Sequence, residues 1–166
     1  AKAAGNYAAS FYPTKLAIEE GYEQVIWTDD ATHTKLEESG TMNVFVRIKD
    51  VIYTPKISDK ILNGVTRDSF IQLAEAKGIE VVVDDILVED VLNAHKNGTL
   101  REIWGVGTAV VVNQFKAVGY KDQHYELPRL SPEDSFAAIL KKDLVSIQTN
   151  KAEDPFGWRW LVEKKY

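Results

Sequence analysis

Three short turns pair a glycine with a nearby threonine at the edge of an apolar segment. They lie at Gly40-Thr41, at residues 64–66 and at residues 107–109. Glycine lets the backbone bend tightly and approach a ligand closely, and successive amides beside a hydroxyl can converge on a phosphate or carboxylate. The pattern is compatible with one anion site built from three turns, and equally with three unrelated loops.

Two other features carry groups that could do chemistry. Lys2 lies among small residues, where its amine could approach a ligand without crowding. Lysine is the residue type that forms Schiff bases, and a desolvated lysine loses its proton more easily. Glu37 and Glu38 precede the turn at Gly40 and could bind a protonated ring nitrogen. From residue type alone, a lysine near a chain end such as Lys2 is nearly always a solvated charge. The two glutamates are equally compatible with a solvated pair.

Other kinds of site are not indicated. His33, His95 and His124 are far apart and lack metal-ligand spacing, so no metal site is predicted. The sequence contains neither a Gly-x-Ser-x-Gly nucleophile elbow nor a Walker phosphate loop.

Helices and strands alternate around the candidate turns. Gly105 and Gly107 are expected to form a tight turn between two buried strands, and Thr66 and Ser131 are expected to cap helices. The predicted helices cover residues 10–20, about 66–77, 88–95 and a segment starting at residue 131. The predicted strands cover residues 25–27, 44–48, 51–53, 79–83, 110–113, 115–118 and 120–124.

Composition indicates one globular domain. The chain has 166 residues, of which 45% are hydrophobic and 27% charged. Its formal net charge is -5, and its lysines and arginines are scattered along the sequence, so no basic surface for nucleic acid is predicted. No apolar run reaches the roughly 20 residues of a membrane helix. We therefore expect neither nucleic acid nor a membrane as a partner, and an acidic, mixed surface suits a cytoplasmic protein. The start at Ala1 suggests a fragment or a processed product.

The ordered motifs resemble the branched-chain amino acid aminotransferases, which are fold type IV enzymes dependent on pyridoxal 5'-phosphate. The matching segments are residues 2–8 (KAAGNYA), 38–43 (ESGTMN), 62–67 (LNGVTR) and 105–109 (GVGTA), with the tail from residue 147 to residue 158. They span nearly the whole chain in the family's order. Each motif alone is weak, and their combination is specific.

The resemblance implies a role for each candidate residue. Lys2 would form the Schiff base with the cofactor and then act as acid and base. Tyr7 would hydrogen-bond the cofactor's phenolic oxygen, and Glu38 would pair with the pyridine nitrogen. The phosphate would be bound by Val65, Thr66 and Thr108. The substrate carboxylate would be bound by the amides of Thr108 and Ala109, with Thr41 lining the site nearby.

The resemblance also implies the fold and the activity. The expected fold is α+β: the large C-terminal domain of the D-amino acid aminotransferase-like enzymes, with a mixed sheet or pseudo-barrel and flanking helices. Residues 1–166 would form this cofactor-binding domain, and the family's smaller N-terminal domain, which supplies an arginine to the phosphate, would be missing. The full-length enzyme would be a homodimer that exchanges amino groups between leucine, isoleucine or valine and 2-oxoglutarate.

Alternatives and departures from the family remain. The sequence also allows a D-amino acid aminotransferase, an aminodeoxychorismate lyase, or a non-catalytic cofactor-binding or assembly fragment. Asn63 replaces the usual proline before Gly64. Val110 and Asn113 stand where some members carry a redox pair of cysteines, so thiol regulation is not expected.

Overall fold

The computed structural model describes residues 4–160 and residue 162. The helices of this part of the chain are α1 (Ala4–Tyr7), α2 (Phe11–Glu19), α3 (Val65–Ala76), α4 (Val88–Lys96) and α5 (Phe136–Gln148), and a 3-10 turn, Ala8–Ser10, joins α1 to α2. The strands are β1 (Ile26–Thr28), β2 (Leu36–Ser39), β3 (Met42–Ile48), β4 (Val51–Thr54), β5 (Val81–Val83), β6 (Leu100–Gly107), β7 (Val111–Gln114), β8 (Ala117–Tyr120) and β9 (Gln123–Glu126).

Strand β3 is the centre of a seven-stranded mixed sheet. It pairs antiparallel with β2, β4 and β6, while β4 and β5 run parallel. Strands β8 and β9 form a separate hairpin. The predicted α+β class with a mixed sheet and flanking helices is confirmed.

The alternation of side chains along β3 explains why both faces of the sheet are covered. Phe45 points into a core shared with α3 and α5, while Val44 and Val46 point into a second core against α4. Successive side chains of a strand face opposite sides, so a continuous apolar run fits a strand buried on both faces. This burial fixes the register of β3, and with it the loops at both of its ends.

Both predicted helix caps are wrong. Thr66 lies inside the first turn of α3, whose N-cap is Gly64. Helix α5 begins at Phe136 because the Ser135 hydroxyl accepts a hydrogen bond from the Ala138 amide at 3.1 Å. The Ser131 hydroxyl instead accepts from the Asp134 amide at 3.2 Å, inside a separate turn that precedes the helix. A serine followed by proline and two acids therefore indicates a turn here, not the helix start.

The two glycines of β6 do not form the predicted tight turn. Gly105 and Gly107 lie in the extended strand, and the turn is made by residues 108–110. The Met42 side chain packs so closely over β6 that a Cβ at Gly105 would lie 3.0 Å from Met42 Cε and 3.1 Å from its Sδ. Glycine at this position leaves room for the methionine side chain and does not bend the chain.

The Trp104 ring is the largest fully buried side chain, and its indole N–H has no hydrogen-bond partner among the described residues. The ring stacks on Phe45, with centroids 5.4 Å apart and planes 7° from parallel. An unsatisfied buried donor costs about 1–3 kcal/mol, so Trp104→Phe removes a penalty along with some packing area.

We expect Trp104→Phe to change the free energy of unfolding by less than about 1 kcal/mol, because the two effects offset each other. Phe45→Leu is the matched control, since it breaks the same stack without relieving a polar group. Urea denaturation would measure both variants. A Trp104→Phe variant that loses more stability than Phe45→Leu would contradict this account.

Candidate active site

The structure brings the three glycine–threonine turns to the same end of the central sheet. The turn at Gly40-Thr41 connects β2 to β3 and lies at the start of β3. Strand β6 runs antiparallel to β3 with Asn43 opposite Val106, so the turn that follows β6 lies beside the Gly40 turn. The Gly64 turn reaches this end because Asn43 contacts it directly.

Among the described residues, Leu62 and Asn43 donate hydrogen bonds to the carboxylate of Glu38 at this end. Its Oε1 accepts a hydrogen bond from the Leu62 amide at 3.0 Å and another from Asn43 Nδ2 at 3.2 Å. Glu38 and Asn43 are directly opposite in the β2–β3 pair and so share one face of the sheet. Hydrogen bonds to a carboxylate favour its charged form. The arrangement therefore presents an oriented negative charge on the face that carries α3.

The start of α3 offers backbone donors on the same face. Gly64 is its N-cap and makes no side-chain cap, so the amides of Val65 and Thr66 keep no hydrogen-bond acceptor in the part of the chain described. The first amides of a helix lack intrahelical partners and carry the positive end of the helix dipole. Such a terminus suits a phosphate or carboxylate. Thr66 is buried and Val65 is exposed.

A buried arginine anchors the first turn of α3. The Arg67 guanidinium donates from Nη2 to the Pro55 carbonyl at 2.8 Å and from Nε to Thr54 Oγ1 at 3.3 Å. Burial lowers the pKa of Arg67, and the charge of neighbouring Asp68 opposes that shift. These bonds tie the helix start to the end of β4.

Tyr7, at the end of α1, is electrostatically coupled to Glu38. Burial raises the pKa of its hydroxyl above the ordinary value of 10.0, and the negative charge of Glu38 raises it further. Tyr7 is therefore a neutral hydroxyl at physiological pH. Two of the predicted cofactor contacts, in the α1 helix and in β2, are thus brought into one neighbourhood.

The remaining predicted residues lie in exposed turns. Thr41, Thr108 and Ala109 are exposed, as the binding of a ligand by them requires. Just after them, Val111 has φ 61°, and the Val112 amide donates to the Val110 carbonyl at 2.7 Å across it. A β-branched residue at positive φ is a strained conformation, and such strain is common beside functional sites.

Lys2 lies outside the described residues, so the structure does not place it. Sequence reasoning missed Asn43 and Leu62, which contact Glu38. Residues 38–43 and 62–67 are each recognised as motifs, but no spacing rule predicts that they touch. In the described part of the chain no three His, Asp or Glu side chains converge on a possible metal position, and none of its helices is long and apolar enough to cross a bilayer.

Comparison with known proteins decides the family. The family described as amino-transferase class IV matches residues 2–118, more than half of the chain. The chain belongs to the class IV aminotransferases. The resemblance carried by the four motifs is thereby confirmed, and the matched range includes Lys2.

Two bacterial members of the class IV family are similar to most of this chain. A probable branched-chain-amino-acid aminotransferase of Staphylococcus epidermidis is 38% identical over 164 residues, which cover 99% of this chain and 46% of the relative. Branched-chain-amino-acid aminotransferase 2 of Bacillus subtilis is 36% identical over 158 residues, 95% of this chain and 43% of the relative. The chain therefore spans about half the length of the curated relatives it matches.

Solved structures of branched-chain amino acid aminotransferases have the same fold as this chain. The branched-chain amino acid aminotransferase of Escherichia coli superposes with a TM-score of 0.76 at 26% identity, over 95% of this chain and 49% of that one. The T.th. branched-chain amino acid aminotransferase with pyridoxamine 5'-phosphate gives a TM-score of 0.77 at 25% identity, over 95% of this chain and 47% of that one. The predicted similarity to fold type IV enzymes is confirmed.

Proposed function

We propose that this chain is the cofactor-binding part, residues 1–166, of an aminotransferase that uses pyridoxal 5'-phosphate to exchange amino groups between leucine, isoleucine or valine and 2-oxoglutarate. The names of its relatives support the branched-chain substrates, and a similar structure contains the pyridoxamine form of the cofactor. The observation that supports it most is local: an oriented Glu38 carboxylate shares a sheet face with the open amides that begin α3.

The described residues fit two separate groups of this cofactor, its phosphate and its pyridine nitrogen. A phosphate needs donors, and the amides of Val65 and Thr66 supply them without displacing a bond to any described residue. A pyridine nitrogen that must stay protonated needs a negative partner, and Glu38 supplies one. When bound, pyridoxal phosphate withdraws electrons from the α-carbon of the amino acid.

The chain's own residues then have distinct tasks. Glu38 holds a proton on the ring nitrogen, and the neutral Tyr7 hydroxyl donates a hydrogen bond to the phenolic oxygen. Lys2 holds the cofactor and moves the proton at the α-carbon. The hydroxyl of Thr108 assists the phosphate. The amides of Thr108 and Ala109 bind the substrate carboxylate, and Thr41 lines the site beside them.

Substrate competition tests this function. The chain would be supplied with pyridoxal phosphate and 2-oxoglutarate, alone and together with the part of the Staphylococcus epidermidis relative that it does not cover. Leucine, D-alanine and aminodeoxychorismate would be offered separately, and glutamate or product formation measured. We expect turnover of leucine. Turnover of either other compound without leucine turnover would assign the chain to a sibling enzyme.

We also propose that the enzyme is a homodimer in the cytoplasm. Helix α2 carries large apolar side chains that are exposed, among them Phe11, which is 73% exposed, and Ile18, which is 58% exposed. None of the residues of this helix is buried. A helix that is apolar on several sides needs a covering surface. The acidic, mixed surface charge supports the location. Light scattering and cell fractionation would test these two points.

We expect Glu38→Gln to bind pyridoxal phosphate but to lower kcat about a hundredfold, roughly 3 kcal/mol, the upper range for a hydrogen bond to a charged group. The amide keeps the side-chain volume and cannot hold a proton on the ring nitrogen. Steady-state kinetics with leucine would measure the loss. Glu75→Gln, on the exposed side of α3, is the control. Equal kcat values in the two variants would remove Glu38 from its assigned role.

A further inference from the structure

We propose that Asn43 is a positioning residue that fixes the Glu38 carboxylate and the segment entering α3 in one arrangement, an inference that rests on the proposed function. Asn43 would touch neither the cofactor nor the substrate. It would act through Glu38 at the ring-nitrogen end of the site and through residues 62–64 at the phosphate end.

The position of Asn43 in the sheet makes it a rigid point. It lies in β3, paired with Glu38 of β2 on one side and with Val106 of β6 on the other. Its exposure is 5%. Backbone neighbours on both sides and burial leave its side chain little freedom to move, so the groups it binds are held against the central strand.

The hydrogen bonds around Asn43 form a closed network. Asn43 Nδ2 donates to the Leu62 carbonyl at 2.8 Å and to Glu38 Oε1 at 3.2 Å. The Leu62 amide donates to the same Glu38 oxygen at 3.0 Å. Each of the three residues therefore contacts the other two. Two acceptors facing one side-chain atom also require that atom to be the amide nitrogen.

The other atom of the Asn43 amide reaches the start of α3. A Cβ placed on Gly64 would overlap Asn43 Oδ1, although the Gly64 φ of −77° suits any residue. Gly64 is therefore required by the close approach of Asn43 and not by its own backbone conformation. Because Gly64 is the N-cap of α3, the same side chain that orients Glu38 also sets where the helix amides begin.

These contacts explain why asparagine suits the position. Leucine, of similar size, cannot donate to Glu38 or to the partly buried Leu62 carbonyl. Aspartate would place a second negative charge directly across the strand pair from Glu38, which is unfavourable. Gly64→Ala disturbs the same network from the other side and keeps every donor. The chain thus offers two independent ways to displace one side chain.

The test compares Asn43→Leu, Gly64→Ala and the double variant, with Asn93→Leu on the exposed side of α4 as the control. With pyridoxal phosphate bound, we expect the midpoint of the pH titration of the visible absorbance band to rise by about one pH unit. A ring nitrogen that holds its proton less firmly withdraws fewer electrons from the bond between lysine and cofactor. Cofactor affinity should fall about tenfold, and the double variant should be no worse than either single one.

A second measurement needs no cofactor. The Leu62 amide donates to Glu38, so its hydrogen exchange reports whether that carboxylate is held in place. We expect Leu62 exchange to accelerate about tenfold in Asn43→Leu and in Gly64→Ala, while amides of the α5 core keep their protection. A purely structural role would accelerate exchange throughout the domain.

The outcomes separate the two proposals. The proposed function is contradicted if the wild-type chain gives no visible band with pyridoxal phosphate, either alone or with the remaining part of the relative. In that case the hydrogen exchange of the Leu62 amide still tests the role of Asn43. A different outcome is a normal band in the wild type while Asn43→Leu and Gly64→Ala change neither the titration of that band nor the Leu62 exchange. That result would contradict the role of Asn43 and leave the proposed function standing.

Discussion

Replacement of Lys2 by alanine is expected to abolish the proposed transamination, with a loss of at least about 10⁴-fold in kcat/KM, the scale seen when a covalent catalytic group is removed. A lysine amine is the group that can attach the cofactor covalently and later carry the proton. Glu38 and Tyr7 can help to bind a cofactor, but neither can replace an amine. The visible absorbance of bound pyridoxal phosphate should disappear together with the activity.

The control for this prediction is a lysine far from the site. Lys96, at the end of α4, is exposed, so Lys96→Ala should leave both activity and absorbance unchanged. Reduction with borohydride followed by mass spectrometry would locate the modified lysine directly. A label on any peptide that lacks Lys2, or a visible band that persists in Lys2→Ala, would contradict the assignment.

Local patterns in the sequence predict most of the elements. The β-branched and aromatic run at residues 44–48, followed by Lys49-Asp50, predicts the β3–β4 hairpin that the structure shows, with Lys49 at φ 53°. Helix α4 matches its expected range within one residue. These signals depend on neighbours along the chain, and so a single sequence carries them.

The candidate site could be predicted only in part. The resemblance assigns Glu38 and residues 65–66 to one site, and the structure places both on one face of the sheet. The contacts that hold Glu38 could not be found, because they join β2, β3 and residue 62 through tertiary pairing. A single asparagine in a strand carries no motif of its own.

The glycines of β6 show why one wrong prediction was unavoidable. A glycine can be required by a backbone conformation that other residues avoid or by a neighbouring group that leaves no room for a side chain. The sequence alone does not distinguish these two reasons. At Gly105 the reason is space, because Met42, 63 residues earlier, packs over it from a neighbouring strand. Only the register of β3 against β6 reveals that contact.

Glu102 holds together the parts of the domain that lie behind the site. Its Oε1 accepts from Arg47 Nη1 at 3.0 Å and from the Phe136 amide at 2.9 Å, and its Oε2 accepts from the Ser135 hydroxyl at 2.6 Å. Both members of the ion pair are buried, and the Arg47 guanidinium lies 3.5 Å over the Phe136 ring. One carboxylate thus joins β3, β6 and the start of α5.

We expect Glu102→Gln to lower the free energy of unfolding by about 3 kcal/mol, because it leaves the Arg47 charge buried and turns a side-chain NH2 toward backbone donors. Thermal unfolding should shift by about 10 °C for a domain of this size. Asp50→Asn is the matched control, since Asp50 also binds Arg47, at 3.2 Å, but is 90% exposed and should cost less than about 1 kcal/mol. Equal losses in the two variants would show that burial does not govern this pair.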